Sequence, residues 1–342
     1  MALKRVTIQD IADACKLSRN TVSKVFNDRG AVPEATKRAV MQKAQELGYG
    51  SFSKALNAQV PPDRGLVAVL TQQKLLSHHF GATFMTSFAD QLSRLGHTMK
   101  VYEVTDEEVA LRKLPPHLLL EQTAAVLTIE LFDKDYLDMI GTLGLPCVVV
   151  DGHARMVRSV LKCDFLSMEN FAASTALTQR VIDAGAKTIG FVGDKEHCSS
   201  FYMRWLAFHT AVTEAKLQPP EAYSILESDD EPYGEPDWLN ARIDRMPHVP
   251  DAFVCANDYI AIHLLAALKR RGRSVPDDVM VTGFDGSPES TVVEPPLTTA
   301  QIPSSDIGRF AATLLIQRFE APAEPYRVIY YKTTPIFRGT TR

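Results

Sequence analysis

The chain has 342 residues, 45% of them hydrophobic and 23% charged, an ordinary globular balance for two or three domains, and no apolar run approaches the ~18 residues of a membrane span. Residues 1–60 hold ten Lys/Arg against five Asp/Glu, a balance of +5 in a chain of −4, so a small basic head precedes a body of −9. Five scattered cysteines (Cys15, Cys147, Cys163, Cys198, Cys255) argue against a disulfide framework or a thiolate zinc site, and Lys4, Arg5, Gln9 and Asp10 interrupt any signal-peptide core, which makes a reduced cytoplasm the expected compartment.

The first predicted helix opens at Thr7, with Asp10 completing a capping-box-like start. Ile8, Ile11, Ala12 and Cys15 follow at i, i+3, i+4 and i+7, one helical face. Lys16 and Leu17 make a turn, and Ser18 is placed to cap a second helix. Val22, Val25 and Phe26 then face inward, leaving Arg19, Asn20, Ser23 and Lys24 on the other side. A third helix fits 33–47, with Pro33 at its first position, Val40, Ala44 and Leu47 inward, and Gly48 as a stop. Such a trio is a helix-turn-helix whose second helix offers side chains to base edges, or a small bundle with a solvated polar face. Arg suits guanine, Asn suits adenine, and Lys reaches guanine or phosphate.

Residues 6–49, "VTIQDIADACKLSRNTVSKVFNDRGAVPEATKRAVMQKAQELGY", closely resemble the headpiece of the LacI/GalR family of bacterial transcription regulators. The likeness is carried by Val-Thr-Ile-x-Asp-Ile-Ala, by "LSRNTVSKVFN", by Pro-x-x-Thr-x-x-x-Val and by the closing Leu-Gly-Tyr. It implies Arg19 and Asn20 as main base readers, with Lys24 where the family usually has Arg. Lys keeps the charge there but loses the planar fork. Ile8 and Gln9 are implied near the DNA backbone, and Ser18, Thr21, Ser23 and Asn27 complete the implied DNA-contacting set. Family members continue with Pro-Asn-x-x-Ala-x-x-Leu, a hinge helix whose Leu wedges into the minor groove. Here Ser51 and Phe52 replace Pro-Asn and Ala58 occupies the wedge position, so Leu56 serves only if two residues are missing. A plain linker ending at Val60-Pro61-Pro62-Asp63-Arg64 is the competing reading.

From residue 65 the texture alternates between β and α. Strands are expected at 65–71, 124–129, 146–151, 188–194, 252–258 and 279–285, and the clearest helix at 80–95, with Phe84, Phe88, Leu92 and Leu95 in one stripe and Gly96 ending it. Continuous apolar strands between amphipathic helices indicate parallel sheets covered on both faces, two of them by the count. Ligands bind beyond the carboxyl ends of such strands, where Asp151, Asp194, Asn257-Asp258 and Asp285 fall. Each also has a plain reading: Asp258 can cap a helix starting at Tyr259, and the others can be loop aspartates.

Residues 252–303 resemble the same family's effector domain through Ala-Asn-Asp, a Gly-x-x-Val-Pro-Asp-Asp-Val turn, Gly-Phe-Asp and Pro-Leu-Thr-Thr; residues 183–213 match more loosely. The resemblance implies the periplasmic binding protein fold, with Arg204, Asn257 and Asp285 holding an effector from the second lobe, Asp151 as a first-lobe partner, and His79 and Phe80 near the ligand. Tyr233 or Trp238 is a candidate for stacking on a sugar ring.

No nucleophile elbow, Walker loop, dinucleotide fingerprint or His-Glu-x-x-His occurs, so no enzyme, metal or cofactor is expected. The fold expected is an all-α helix-turn-helix headpiece (1–49), a linker or degenerate hinge (50–64), and an α/β periplasmic-binding-protein-like body of two doubly wound parallel-sheet lobes that also dimerises (65–342). The function implied is a ligand-responsive homodimeric regulator, by family default a repressor, on a pseudo-palindromic double-stranded DNA operator at the bacterial nucleoid, away from any membrane, with a small-molecule effector of the carbohydrate kind. A sugar sensor without DNA binding is the rival, as is an α/β enzyme with an appended head.

Overall fold

The computed structural model describes residues 6–26, 32–47, 65–72, 79–156, 161–217 and 220–342. Asn27, Gly48, Leu56 and the whole 50–64 joint lie outside the described residues.

The head is built from α1 (Ile8–Cys15), α2 (Arg19–Phe26) and α3 (Glu34–Glu46). Thr7 and Asp10 close the expected capping box: Thr7 N donates to Asp10 Oδ2 at 2.7 Å and Asp10 N to Thr7 Oγ1 at 3.4 Å. Lys16 ends α1 in the left-handed conformation (φ 55°), and Leu17 N donates back to the Ala12 carbonyl at 2.9 Å, which turns the chain within two residues. Ser18 caps α2 as expected, its Oγ accepting from Thr21 N at 3.1 Å. Ile11, Ala12, Val22, Val40 and Ala44 are fully buried and form the core, with Ile8, Cys15, Leu17 and Val25 packed around them. Two expectations are corrected. Leu47 is exposed, because α3 stops at Glu46 and leaves that side chain past the last packed turn. Pro33 precedes the helix, its carbonyl accepting from Lys37 N at 3.0 Å.

In the body, β1 (Leu66–Thr71), α4 (His79–Arg94), β2 (Thr98–Glu103), α5 (Asp106–Leu111), β3 (Thr123–Ile129), α6 (Lys134–Ile140), β4 (Cys147–Val150) and β5 (Asp164–Met168) come first. Then follow α7 (Phe171–Asp183), β6 (Ile189–Val192), α8 (Ser199–Glu214), α9 (Pro236–Ile243), β7 (Ala252–Cys255), α10 (Asp258–Arg270), β8 (Met280–Thr282) and α11 (Glu289–Val292). β9 (Thr299–Gln301), α12 (Ser304–Glu320), β10 (Val328–Tyr331) and β11 (Thr334–Ile336) complete the chain.

One sheet has the order β10-β5-β4-β3-β1-β2 with every neighbouring pair parallel; the other is a parallel β6-β7-β8, and β9 pairs antiparallel with β11. All six expected strands are present; β4, β6, β7 and β8 end before the polar residues expected at their C-terminal ends, and β3 begins one residue earlier, at Thr123. β2 escaped the reading because it is an edge strand, four of its six residues exposed. β5 escaped because Asp164 and Ser167 interrupt a fully buried run. Asp164 is tolerated there because Arg318 on α12 donates to both its oxygens, at 2.9 and 2.8 Å. Phe84, Phe88 and Leu92 face the core as expected, and Gly96 (φ 84°) follows the helix.

β5 and β10 put the first lobe together from distant stretches, so the chain passes between lobes three times, at 169–170, 302–303 and 332–333. Two crossings are tied side by side: Glu169 N donates to the Tyr331 carbonyl at 2.6 Å and Thr333 Oγ1 to the Glu169 carbonyl at 2.7 Å.

Candidate functional site

On the head, Arg19, Asn20 and Lys24 of α2 are exposed, Thr21 and Ser23 are half-buried, and Val22 is fully buried. Ser18 Oγ also shares a 2.8 Å hydrogen bond with Thr21 Oγ1, and Gln9 Nε2 donates to Asp13 Oδ1 at 2.8 Å. Ile8 is half-buried against the core. Three long polar side chains thus stand on one short helix whose opposite side is anchored, a shape suited to a groove.

A cavity of about 680 Å³ lies between the lobes of the body. Of the six body residues expected at a ligand, Phe80, Asp151, Arg204, Asn257 and Asp285 line it. His79 begins α4, and its side chain lies outside the described residues. Asp151 directly follows β4 and Asp285 lies just beyond β8, as the strand-end rule requires.

Arg204 is buried on α8. Its Nε donates to Asn170 Oδ1 at 2.9 Å, and its Nη1 to the Ala256 carbonyl at 2.7 Å and to Asp285 Oδ1 at 3.3 Å. Its guanidinium lies 3.7 Å from the centre of the Phe284 ring. Asp151 Oδ1 accepts from Gly152 N at 2.9 Å and from Ser200 N at 3.2 Å, so this carboxylate sits at the N-terminus of α8 and ties one lobe to the other. Burial pushes its pKa up.

The expected cap is corrected. Asn257 caps α10, its Oδ1 accepting from Ile260 N at 2.9 Å, and Asp258 is the first helical residue. Asp258 is buried and accepts instead from Ser287 N at 2.7 Å and Thr299 Oγ1 at 2.5 Å. Burial pushes it up to about 6. Asp285 goes up to about 7, burial and Asp258 outweighing the opposing pull of Arg204. Tyr233 lines the cavity but its hydroxyl donates to the Glu227 carbonyl at 2.7 Å; Trp238 packs against Tyr233 at a tilt of 58° and is not among the lining residues.

Glu130 is the residue that the sequence reading missed. It follows β3 directly, lines the cavity, and one of its carboxylate oxygens, Oε2, is buried without a hydrogen-bond partner. Burial, then Asp151, pushes it up to about 7. Among the described residues, six non-glycine residues have positive φ, and three of them are the cavity acids Glu130 (50°), Asp151 (54°) and Asp285 (120°). Strained backbone concentrates at functional sites, and here it aims strand-end carboxylates. An acid one residue past an apolar strand was the available signal. Asn170, which holds Arg204 in place, gave none. Among the described residues, no group of three or more His, Cys, Asp or Glu side chains is placed to hold a metal, and no helix is long and apolar enough to cross a membrane.

The architecture is a three-helix head of helix-turn-helix form and a two-lobed body with a cavity between its lobes. Comparison with known proteins agrees. Residues 7–51 match the model of bacterial regulatory proteins of the lacI family, and residues 178–341 match the periplasmic binding protein-like domain. The HTH-type transcriptional repressor PurR of Pasteurella multocida is 26% identical over 338 residues, covering 98% of both chains. The HTH-type transcriptional regulator CelR of Thermobifida fusca is 27% identical over 336 residues, 95% of this chain and 96% of the relative. A solved complex of CelR with cellobiose superposes with a TM-score of 0.70 at 26% identity over 98% of this chain and all of that one. A Lac repressor dimer bound to operator gives 0.71 at 21%, over 99% of each, a likeness of fold. Residues 7–51 thus resemble the lacI-family head and residues 178–341 the periplasmic binding protein-like domain, and the two relatives that span nearly the whole chain are transcriptional regulators by name.

Proposed function

We propose that the protein is a homodimeric, sequence-specific DNA-binding regulator, a repressor by family default, whose operator affinity is set by a small polyhydroxylated molecule in the interlobe cavity. The observation that carries this reading is the exposure of Arg19, Asn20 and Lys24 together on α2, opposite a fully buried Val22. Arg19 and Asn20 read base edges, Lys24 reaches guanine or phosphate, and Gln9, Ser18, Thr21 and Ser23 steady the duplex backbone. Asn27 and Leu56 join that set on the strength of the sequence resemblance alone. A two-fold dimer presents two heads to a roughly palindromic site. In the cavity, Arg204, Asn257, Asp285 and Asp151 address ligand hydroxyls from both lobes, so occupancy and lobe closure are linked. The cellobiose complex of CelR supports a carbohydrate-like effector. Residues 1–49, 50–64 and 65–342 serve as head, joint and body in this scheme.

The test is a mobility-shift titration of the full chain on promoter fragments over a range of salt. The expected result is specific retention that weakens log-linearly with salt, and a change in that affinity on adding the effector. Absence of retention on any fragment favours a sensor without DNA binding.

A further inference from the structure

The cavity's lining residues include seven carboxylates and a single guanidinium, that of Arg204. Arg204 is already engaged by Asn170, the Ala256 carbonyl and Asp285. The lining histidines do not redress the balance: His263 is held toward its neutral form by burial, and His197 stands 3.4 Å from Asp229. A phosphate or carboxylate entering here meets acids on both lobes and, among the described residues, no uncommitted lysine or arginine, an arrangement that disfavours anions.

Three features favour the opposite charge. Glu130 brings a buried oxygen with no partner into the wall. Asp151 lies close enough to raise the proton affinity of Glu130, so two acids on neighbouring strand ends line one cavity. Aromatic rings surround that space from both lobes, Phe80 and Phe132 from the first, Phe201 and Tyr233 from the second. Carboxylates beside ring faces are the surroundings in which an organic ammonium is best stabilised.

We propose that the effector carries a protonated nitrogen on a hydroxyl-rich ring, and that Glu130 and Asp151 receive it while Arg204, Asn257 and Asp285 hold its hydroxyls. The inference rests on the reading of the cavity as the effector site. The cationic group relieves the repulsion between the two acids and gives the orphaned oxygen a donor, which a neutral hydroxyl does only in part.

The experiment is a thermal-shift and calorimetric titration of the full-length chain at pH 7 with matched sets: glucosamine, glucose and glucose 6-phosphate, and the corresponding galactose and mannose series. The expected result is an amine in at least one set binding about ten-fold or more tighter than its neutral counterpart, about 1.4 kcal/mol, with the phosphate silent. Glu130→Gln then brings that ratio near one. Should Glu130→Gln not fold, the wild-type ratio decides by itself, and Glu130→Asp, with the same charge set back by one methylene, is expected to keep part of it. Equal binding of amine and neutral sugars, or preferential binding of a phosphate, overturns the proposal and leaves the effector reading standing. No response from any set counts against both.

Discussion

Glu130 and Arg19 stand for the two kinds of residue on which this molecule depends, one forced into a costly environment and one left free in water. Glu130 holds its proton more tightly when folded, at about 7 against an ordinary 4.5. A group raised in this way weakens the fold when both states are ionised, and that penalty fades as pH falls through 7 toward 4.5. Stability of the body therefore rises on acidification across that window, with Asp258 and Asp285 acting in the same sense. Glu130→Gln is expected to flatten part of this limb and to raise stability at pH 8 by on the order of 1–2 kcal/mol, read from urea midpoints at a series of pH values. At Arg19 the expectation concerns recognition: Arg19→Ala costs ~1–3 kcal/mol at one operator position, while Lys24→Ala also reduces the salt slope, both seen in mobility shifts on single-base operator variants. Equal weakening by Arg19→Ala on all DNA contradicts base reading. The residues readable beforehand were those with a strand end or a helix periodicity to announce them, such as Asp151, Asp285 and Arg19. Glu130 was hidden because the expected strand 124–129 ends where β3 does, at Ile129, and the acid just beyond it was not counted among the strand-end groups. Asp258 was assigned the wrong task because Asn257, next to it, is an equally good cap and has the extended backbone a cap requires (φ −151°).

Among the elements, those with one unbroken pattern were anticipated and those stabilised from elsewhere in the chain were not. β1, β3 and β7 are plain apolar runs. β5 carries a buried Asp164 whose partner, Arg318, lies 154 residues away, so no local pattern announces it. Asp164→Asn or Arg318→Met alone leaves a buried charge behind and is expected to cost ~3–5 kcal/mol, whereas the pair replaced together by Leu and Met recovers most of it; chemical denaturation of the three variants checks this. α12 shows a second dependence. A Cβ placed on Gly308 would come within 2.4 Å of the Phe84 carbonyl and 2.5 Å of Ser87 Oγ, so α12 lies against α4 with no room for a methyl group. Gly308→Ala is expected to destabilise by more than the ~1 kcal/mol that the same change gains in an open helix, in the opposite direction, measured by thermal unfolding.

For the molecule as a whole, the contrast between a head of +5 and a body of −9 means that long-range attraction to DNA comes from a small part of the surface. Under the proposed function, effector and operator change each other's affinity by the same factor, a coupling of ~1–3 kcal/mol or about 5- to 150-fold. Titrating effector into the protein alone and into the protein–operator complex measures that factor twice, and unequal values refute a simple two-state linkage. The general architecture was readable because alternating β and α patterns leave few topologies; the exchange of strands between lobes was not, since β10 looks no different from any edge strand.

That exchange has a further bearing on how the molecule is made. β10 takes its place beside β5 only after most of the second lobe has been synthesised, and beyond it the Thr340 carbonyl receives a 3.0 Å bond from Val281 N in the other sheet. A nascent chain leaving the ribosome therefore carries a first lobe with one open strand edge until β10 emerges. A premature stop between residue 300 and the end of β10 impairs the lobe that was translated first along with the second, and the unfinished edge is where a stalled chain is expected to aggregate or engage a chaperone.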